Sequence, residues 1–248
     1  MDPDRRETSG VAANTVLDRR YDGMRGRYGP SSGRANGYQS ERFFLRERTA
    51  LWDCVADSAG PVVDLACGSG LMLAPMVAAG GPVLGLDFNQ IACRDARANG
   101  LLASRGSVFA LPFADASIGL AVNCQFLNQQ TDRETAEFVA EVARVLRPGG
   151  RAVIFWRHAE SRLHRVAGAL IDGLNGLLGR PRFPQFRHPL SQVEELGNAA
   201  GLRAVRRFVT LPWGRTATVA PDTARSRWIG ASLAIILEKP AVRSEDMR

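Results

Sequence analysis

The chain has 248 residues, 45% of them apolar and 23% charged, enough for one large α/β domain or two small ones with a substantial core. Its net charge is +7, held almost wholly by dispersed arginines since Lys239 is the only lysine, so the charge marks no nucleic-acid or membrane surface by itself. No apolar run reaches the roughly 18 to 20 residues of a membrane helix, and the polar N-terminus lacks the apolar core of a secretory signal; a cytoplasmic location is expected.

Residues 1–40 are polar and rich in Gly, Arg and Ser, and they read as a flexible or lid-like segment. Residues 41–58 carry Phe44, Leu45, Leu51, Trp52 and Val55 at helical spacing. Strands and helices then alternate. "PVVDLA" is a strand and "LMLAPMVAAG" a helix with Pro75 in its first turn. "PVLGLDF" is a second strand, followed by the helix "NQIACRDARANGLL" capped by Asn89. "GSVFA" is a short third strand and "IGLAVNCQFL" a fourth. The helix "DRETAEFVAEVARVL" is capped by Thr131 or Asp132 and stopped by "RPGG", and "RAVIFW" is a fifth strand.

This alternation predicts an α/β, doubly wound (Rossmann-like) fold, with a mostly parallel seven-stranded sheet, helices on both faces and an antiparallel edge strand. Residues 157–190 interrupt the pattern as an insertion. "SQVEELGNAAGL" reads as a helix with Ser191 and Glu194 as a capping box. "RAVRRFVTL" and "SLAIILEK" close the chain as an antiparallel pair. One domain over 41–248 is expected.

The four cysteines form no C-x-x-C pair and have no companion histidine at metal-ligand spacing, so they read as buried thiols and no metal site is expected. Chemistry concentrates in Asp64-Leu65-Ala66-Cys67-Gly68-Ser69-Gly70, where the first strand meets the first helix. Gly68 and Gly70 let backbone turn tightly and approach a ligand. A dinucleotide fingerprint would need a glycine or alanine where Leu73 stands, and a P-loop lysine is absent. Asp87 ends the second strand, 17 residues after Gly70, where an acid can accept hydrogen bonds from ribose hydroxyls. The turn therefore suits a ribose-bearing ligand without a pyrophosphate.

On these residues the chain resembles the class I S-adenosylmethionine-dependent methyltransferases, in particular the ubiquinone/menaquinone-methyltransferase-like group. "VVDLACGSG" is similar to the family's first motif, with Ala66 at its first glycine, and "VLGLDFN" to the second. "LPFADASIGLAVNCQFL" and "EVARVLRPGGRAVI" are similar to two later signatures. The resemblance implies S-adenosyl-L-methionine as cofactor. It places the backbone of Ala66, Cys67, Gly68 and Gly70 under the methionyl part, Asp64 toward the amino group and Asp87 on the ribose. Phe88 would pack beside the adenine, Ser107, Val108 and Phe109 would frame it, and Asn123 and Phe126 would line the sulfonium side. Ser107 stands where relatives carry an acid, and Ile118-Gly119 where they carry Phe-Asp.

Methyl transfer needs a base only when the acceptor must lose a proton. His158, just after the fifth strand, is one candidate, and Tyr21 is a candidate lid residue. His164 and His188 fit plain structural roles. The insertion's Leu163, Val166, Leu170, Ile171, Leu174 and Leu177 fit either a helix packed on the core or a wall for a greasy, even membrane-resident, acceptor. Trp213 and Trp228 could supply aromatic walls. The expected partners are a small-molecule or lipid-like acceptor, without nucleic acid, in a monomer or homodimer with room for peripheral membrane contact. Two alternatives stay open: a non-catalytic S-adenosylmethionine-binding protein of the same fold and, more remotely, a nicotinamide-dependent dehydrogenase.

Overall fold

The computed structural model describes residues 21–36, 38, 40–56, 58, 60–158, 160–162, 165, 166, 169, 170, 177, 186–213 and 218–241. Helix α1 (Glu41–Val55) leads into five βα-type elements: β1 (Val62–Leu65), α2 (Ala74–Ala78), β2 (Val83–Asp87), α3 (Gln90–Ala98) and β3 (Leu102–Arg105). The chain continues through β4 (Ile118–Cys124), α4 (Asp132–Val145) and β5 (Leu146–Arg157). It closes with α5 (Leu190–Ala199), β6 (Arg203–Thr210), β7 (Thr218–Val219), α6 (Ala224–Ile229) and β8 (Ser232–Glu238).

These strands make one eight-stranded sheet in the order β3-β2-β1-β4-β5-β8-β6-β7. The first five run parallel. Strand β8 lies antiparallel between β5 and β6. The expected antiparallel pair, β6 and β8, thus lies toward one edge of the sheet, and the two-residue β7, too short to show as an alternation, adds an eighth strand there. The reversal of order beside β1 leaves a crevice at the carboxyl ends of β1, β2 and β4, the usual ligand position in open α/β sheets.

Side chains alternate between two cores. Val62, Val153, Phe155, Ala234 and Ile236 face one layer with Phe44, Leu51 and Val55 of α1. Val63, Leu65, Ile154, Trp156, Leu233 and Ile235 face the other with Phe138 and Val142 of α4. This period of two is what a strand buried on both faces requires.

Local signals set most boundaries. Asn89 caps α3 by accepting from Ala92 N–H. Thr131 and Glu134 form a full capping box on α4. Three expectations are corrected. The third strand is Leu102–Arg105, and "GSVFA" is a turn with one bridge between Ser107 and Ala110. The box at Ser191 and Glu194 is absent, because Pro189 caps α5 without a side-chain bond and Glu194 pairs with Arg207. Residues 21–28, within the segment read as flexible or lid-like, are helical.

That N-terminal stretch is tied to the sheet. Arg25 donates from Nη2 to Asp95 Oδ1 at 2.8 Å and pairs with its other oxygen, while Asn36 donates to Ser69 Oγ at 2.7 Å and accepts from Ser69 N–H at 3.0 Å. Among the described residues, no helix is long and apolar enough to cross a membrane.

Candidate functional site

The turn after β1 is built from left-handed backbone. Ala66, Gly68 and Gly70 have φ of 57°, 53° and 73°. A Cβ on Gly70 would stand 2.8 Å from both methyls of Leu101 and 3.3 Å from Ala96 Cα, so the glycine lets the turn seat against α3. Ala66 holds the same kind of conformation with a Cβ, which costs about 1–2 kcal/mol. Asp87 fixes the turn from the neighbouring strand: Oδ2 accepts from Gly68 N–H at 2.8 Å and Oδ1 from Asn89 N–H at 2.9 Å.

One cavity opens on this turn. Its floor includes Asp64, Ala66, Cys67, Gly68, Asp87 and Phe88; Tyr21, Met24, Asn36 and Tyr38 close it from the N-terminal side, with Leu71 and Met72 beside them. Cys124, Gln125, Phe126, Asn128, Gln129 and Arg157 line the side facing β4 and β5. Tyr21 thus does reach the cavity. Its phenol, with Asp95 Oδ2 at 3.5 Å, is held far above its ordinary range by burial and then by Asp95.

Asp64 is the most perturbed carboxyl here. It is 2% exposed, and its Oδ2 has no hydrogen-bond partner. Burial, then the charge of Asp87, pushes its pKa from 3.8 up to about 8. A buried polar atom without a partner is uncommon and invites a donor from a ligand. Asp87 can take more bonds as well, because each carboxylate oxygen carries two lone-pair sites.

Several expected residues lie off the cavity. Gly70 sits one step behind it, against α3. Asn123 is buried and donates to Leu65 O at 2.7 Å, joining β4 to the end of β1. Ser107 accepts from Phe109 N–H, Val108 is buried, and Phe109 meets the cavity only through Phe126, whose ring centroid is 5.9 Å away. His158 is not at the cavity. It is buried beside Ser226 Oγ at 3.3 Å and packed on Gly230, and burial lowers its pKa. Alternation along β5 explains this: Arg157 lines the cavity, and the next residue points away under α6.

His188 has a structural role, with Nε2 at 3.0 Å from Leu127 O and 2.9 Å from Gln130 O. Trp213 and Trp228 are 46% and 56% exposed and line no part of the cavity; Arg162 stacks over Trp228. Val166, Leu170 and Leu177 are exposed rather than packed on the core. Leu163, His164, Ile171 and Leu174 fall outside the described residues.

Motif reading gave Tyr38 no site role of its own and missed Gln125 and the group behind them. Glu47 on α1 is fully buried. It accepts from Tyr38 Oη at 2.6 Å, from Gln125 Nε2 at 2.8 Å and from Ser232 Oγ at 2.5 Å. A signal existed: Glu47 interrupts the apolar stripe of Phe44, Leu51 and Val55, and an acid there needs partners.

Residues 63–154 match the methyltransferase domain family, and this segment carries the Gly turn, Asp87 and the strand ends just described. Over that segment the chain is similar to S-adenosylmethionine-dependent methyltransferases. Over 118 residues the chain is 30% identical to a Mycolicibacterium smegmatis protein named as a probable S-adenosylmethionine-dependent methyltransferase, covering 46% of this chain and 45% of that one. Over 93 residues it is 36% identical to a demethylmenaquinone methyltransferase of Corynebacterium kroppenstedtii, covering 38% and 40%. The chain therefore spans less than half the length of either curated relative. An S-adenosylmethionine-dependent methyltransferase from Archaeoglobus fulgidus superposes with a TM-score of 0.64 at 12% identity, covering 82% of this chain and 96% of that one, a likeness of fold.

Proposed function

We propose that this chain transfers a methyl group from S-adenosylmethionine to a small-molecule or lipid/quinone-like acceptor. The observation that carries the reading is one cavity holding the left-handed turn at Ala66 and Gly68, the strand-end Asp87 and the unpartnered Oδ2 of Asp64. The donor set fits the cofactor: an amine can satisfy Asp64 Oδ2, and ribose hydroxyls can reach the remaining lone pairs of Asp87. When bound, S-adenosylmethionine supplies an electrophilic methyl carbon on a sulfonium.

The chain's own residues then act by positioning and by excluding water. The turn holds backbone close to the ligand, and the helical residues 21–28 close the cavity with Tyr21 and Met24. Leu71, Met72, Cys124 and Phe126 give the acceptor side apolar surface. The name of the Corynebacterium kroppenstedtii relative supports a quinone-like acceptor.

Calorimetry with S-adenosylhomocysteine tests the assignment. Binding is expected in the wild type, and Asp87→Ala should weaken it at least about tenfold, the equivalent of one lost charged hydrogen bond. Unchanged affinity in Asp87→Ala would remove this site from consideration, and binding of NADH in its place would remove the reading. Methyl-labelled S-adenosylmethionine incubated with the protein and cell extract should yield a labelled small molecule.

A further inference from the structure

With His158 turned away, the cavity is left without the base expected from the sequence. Behind its wall, however, lies an acid for which positioning of the cofactor has no use. Glu47 is 0% exposed, and its hydrogen-bond partners are Tyr38, Gln125 and Ser232, all uncharged. Tyr38 and Gln125 also line the cavity, whereas Ser232 does not.

The direction of each bond follows from one backbone amide. Arg157 N–H can only donate, so the Asn128 atom it meets at 2.8 Å is Oδ1. Asn128 Nδ2 then donates to Gln125 Oε1 at 2.8 Å, which turns Gln125 Nε2 toward Glu47 and Ser232 Oγ. Ser232 Oγ receives one of those protons and gives its own to Glu47 Oε2. The backbone of Gln125 is held at φ 63° in this arrangement. Gln125 Nε2 is therefore fixed as a donor to Glu47, and Ser232 gives its proton there while it accepts from Gln125. Tyr38 is the partner that both lines the cavity and can reverse, because a hydroxyl gives and accepts a proton. Its second neighbour, Met72 Sδ at 3.5 Å, is a weak acceptor that does not lock it.

We propose that Tyr38 and Glu47 form a proton relay for a methyl acceptor bearing an O–H or N–H group, with Tyr38 touching the acceptor and Glu47 receiving the proton behind it. The inference rests on the methyl-transfer reading and narrows its acceptor class. As the acceptor's O or N bonds to the methyl carbon, the carbon–sulfur bond breaks and its electron pair stays on sulfur. The acceptor's proton passes to Tyr38 Oη while the Tyr38 proton passes to Glu47 Oε1. One positive charge on sulfur and one negative charge on Glu47 disappear together, so the cavity's net charge is unchanged. Glu47 then donates back to Tyr38 as a neutral acid and loses its proton when the product leaves.

The surroundings suit this exchange. Burial raises Glu47 above its usual range, against the lowering donors Ser232, Tyr38 and Gln125. Burial and then Glu47 hold the Tyr38 phenol well above its ordinary range, so Tyr38 passes a proton rather than standing as a phenolate. Among the described residues, the titratable groups that act on this pair include Cys124 at the end of β4, whose thiol burial and Glu47 push up, and Asp64, with Cys54 acting on Cys124; Arg157 lines the same cavity. None of the groups acting on Glu47 is a cation.

Three measurements on Tyr38→Phe, Glu47→Gln and wild type test the relay. Calorimetry should give S-adenosylhomocysteine affinities within about threefold of each other, since neither side chain holds the cofactor in this account. Label transfer from methyl-labelled S-adenosylmethionine into extract should fall at least about a hundredfold in both variants. The wild-type rate should rise with pH to a plateau as Glu47 ionises. An infrared titration from about pH 5 to pH 10 should show, beside the band of Asp64, a second carboxylic-acid carbonyl component that vanishes reversibly as pH rises and is missing in Glu47→Gln. Its midpoint should move up in Tyr38→Phe, which removes a donor to the charged form.

Wild-type label transfer in either variant, or a Glu47 that keeps one protonation state over the whole range, overturns the relay. A wild type that binds no S-adenosylhomocysteine overturns the methyl-transfer reading instead. Where extract yields no labelled product, the infrared titration decides. Should Glu47→Gln fail to fold, Tyr38→Phe carries all three measurements.

Discussion

Replacing Asp64 by asparagine should stabilise the ligand-free protein, by an amount that depends on pH. The folded chain raises the Asp64 pKa from 3.8 to about 8, through burial first and the Asp87 charge second. An acid raised in this way binds more protons folded than unfolded between those two values. Its cost is absent below about pH 4, grows as pH rises and levels off above about pH 8. At pH 7 roughly three units of titration separate the two states, or about 4 kcal/mol at 1.36 kcal/mol per unit. Desolvating the new amide offsets about 1–2 kcal/mol of that. The net gain of about 2–3 kcal/mol corresponds to a melting temperature higher by roughly 5 to 10 °C for a chain of this size. Thermal unfolding of wild type and Asp64→Asn across pH 4 to 8 checks it. The variant should be slightly the less stable near pH 4, the two curves should cross near about pH 5, and the variant's advantage should grow from there to about pH 8. A gap that stays constant with pH, or a variant less stable at pH 8, would refute the assignment of the strain to an ionisable Asp64. The same variant should bind S-adenosylhomocysteine less tightly, since the strained carboxyl is the one the ligand amine would satisfy.

Gly70→Ala forces a side chain onto φ 73° and to within 2.8 Å of Leu101, so a loss of about 2–4 kcal/mol is expected in thermal unfolding, with weaker S-adenosylhomocysteine binding. His158→Ala should lose about 1–3 kcal/mol through the void beside Ser226, while S-adenosylhomocysteine affinity stays within about twofold, because His158 lies off the cavity. Burial lowers the His158 pKa, so the neutral form is favoured in the fold and wild-type stability declines as pH falls below the ordinary value near 6.5. That part of the slope should be missing in His158→Ala; identical slopes between pH 5 and 7 would show that His158 does not titrate with folding.

Local chemistry was legible wherever it depends on neighbours in sequence. Asn89 and Thr131 cap their helices because a cap needs only a short polar side chain and the next two or three amides. The third strand was misplaced because "LASR" has no apolar alternation and sits at the far edge of the sheet, exposed at three of its four residues. The helix at 21–28 escaped notice because its anchor, Asp95 for Arg25, lies 70 residues away. The same reason hid the Glu47 group, whose partner Ser232 is 185 residues distant.

The sequence by itself determined the cofactor-facing half of the protein. A strand, a tight turn and an acid at the next strand end are all close in the chain, and a ligand that spans them leaves its mark locally. Only the tertiary structure decided the rest of the cavity. Whether the residue after β5 faces the cavity or α6 depends on strand register, and whether an acid on α1 meets a tyrosine, a glutamine and a serine depends on how distant elements stack. His158 therefore stands off the cavity, and Tyr38 lines it with Glu47 buried behind.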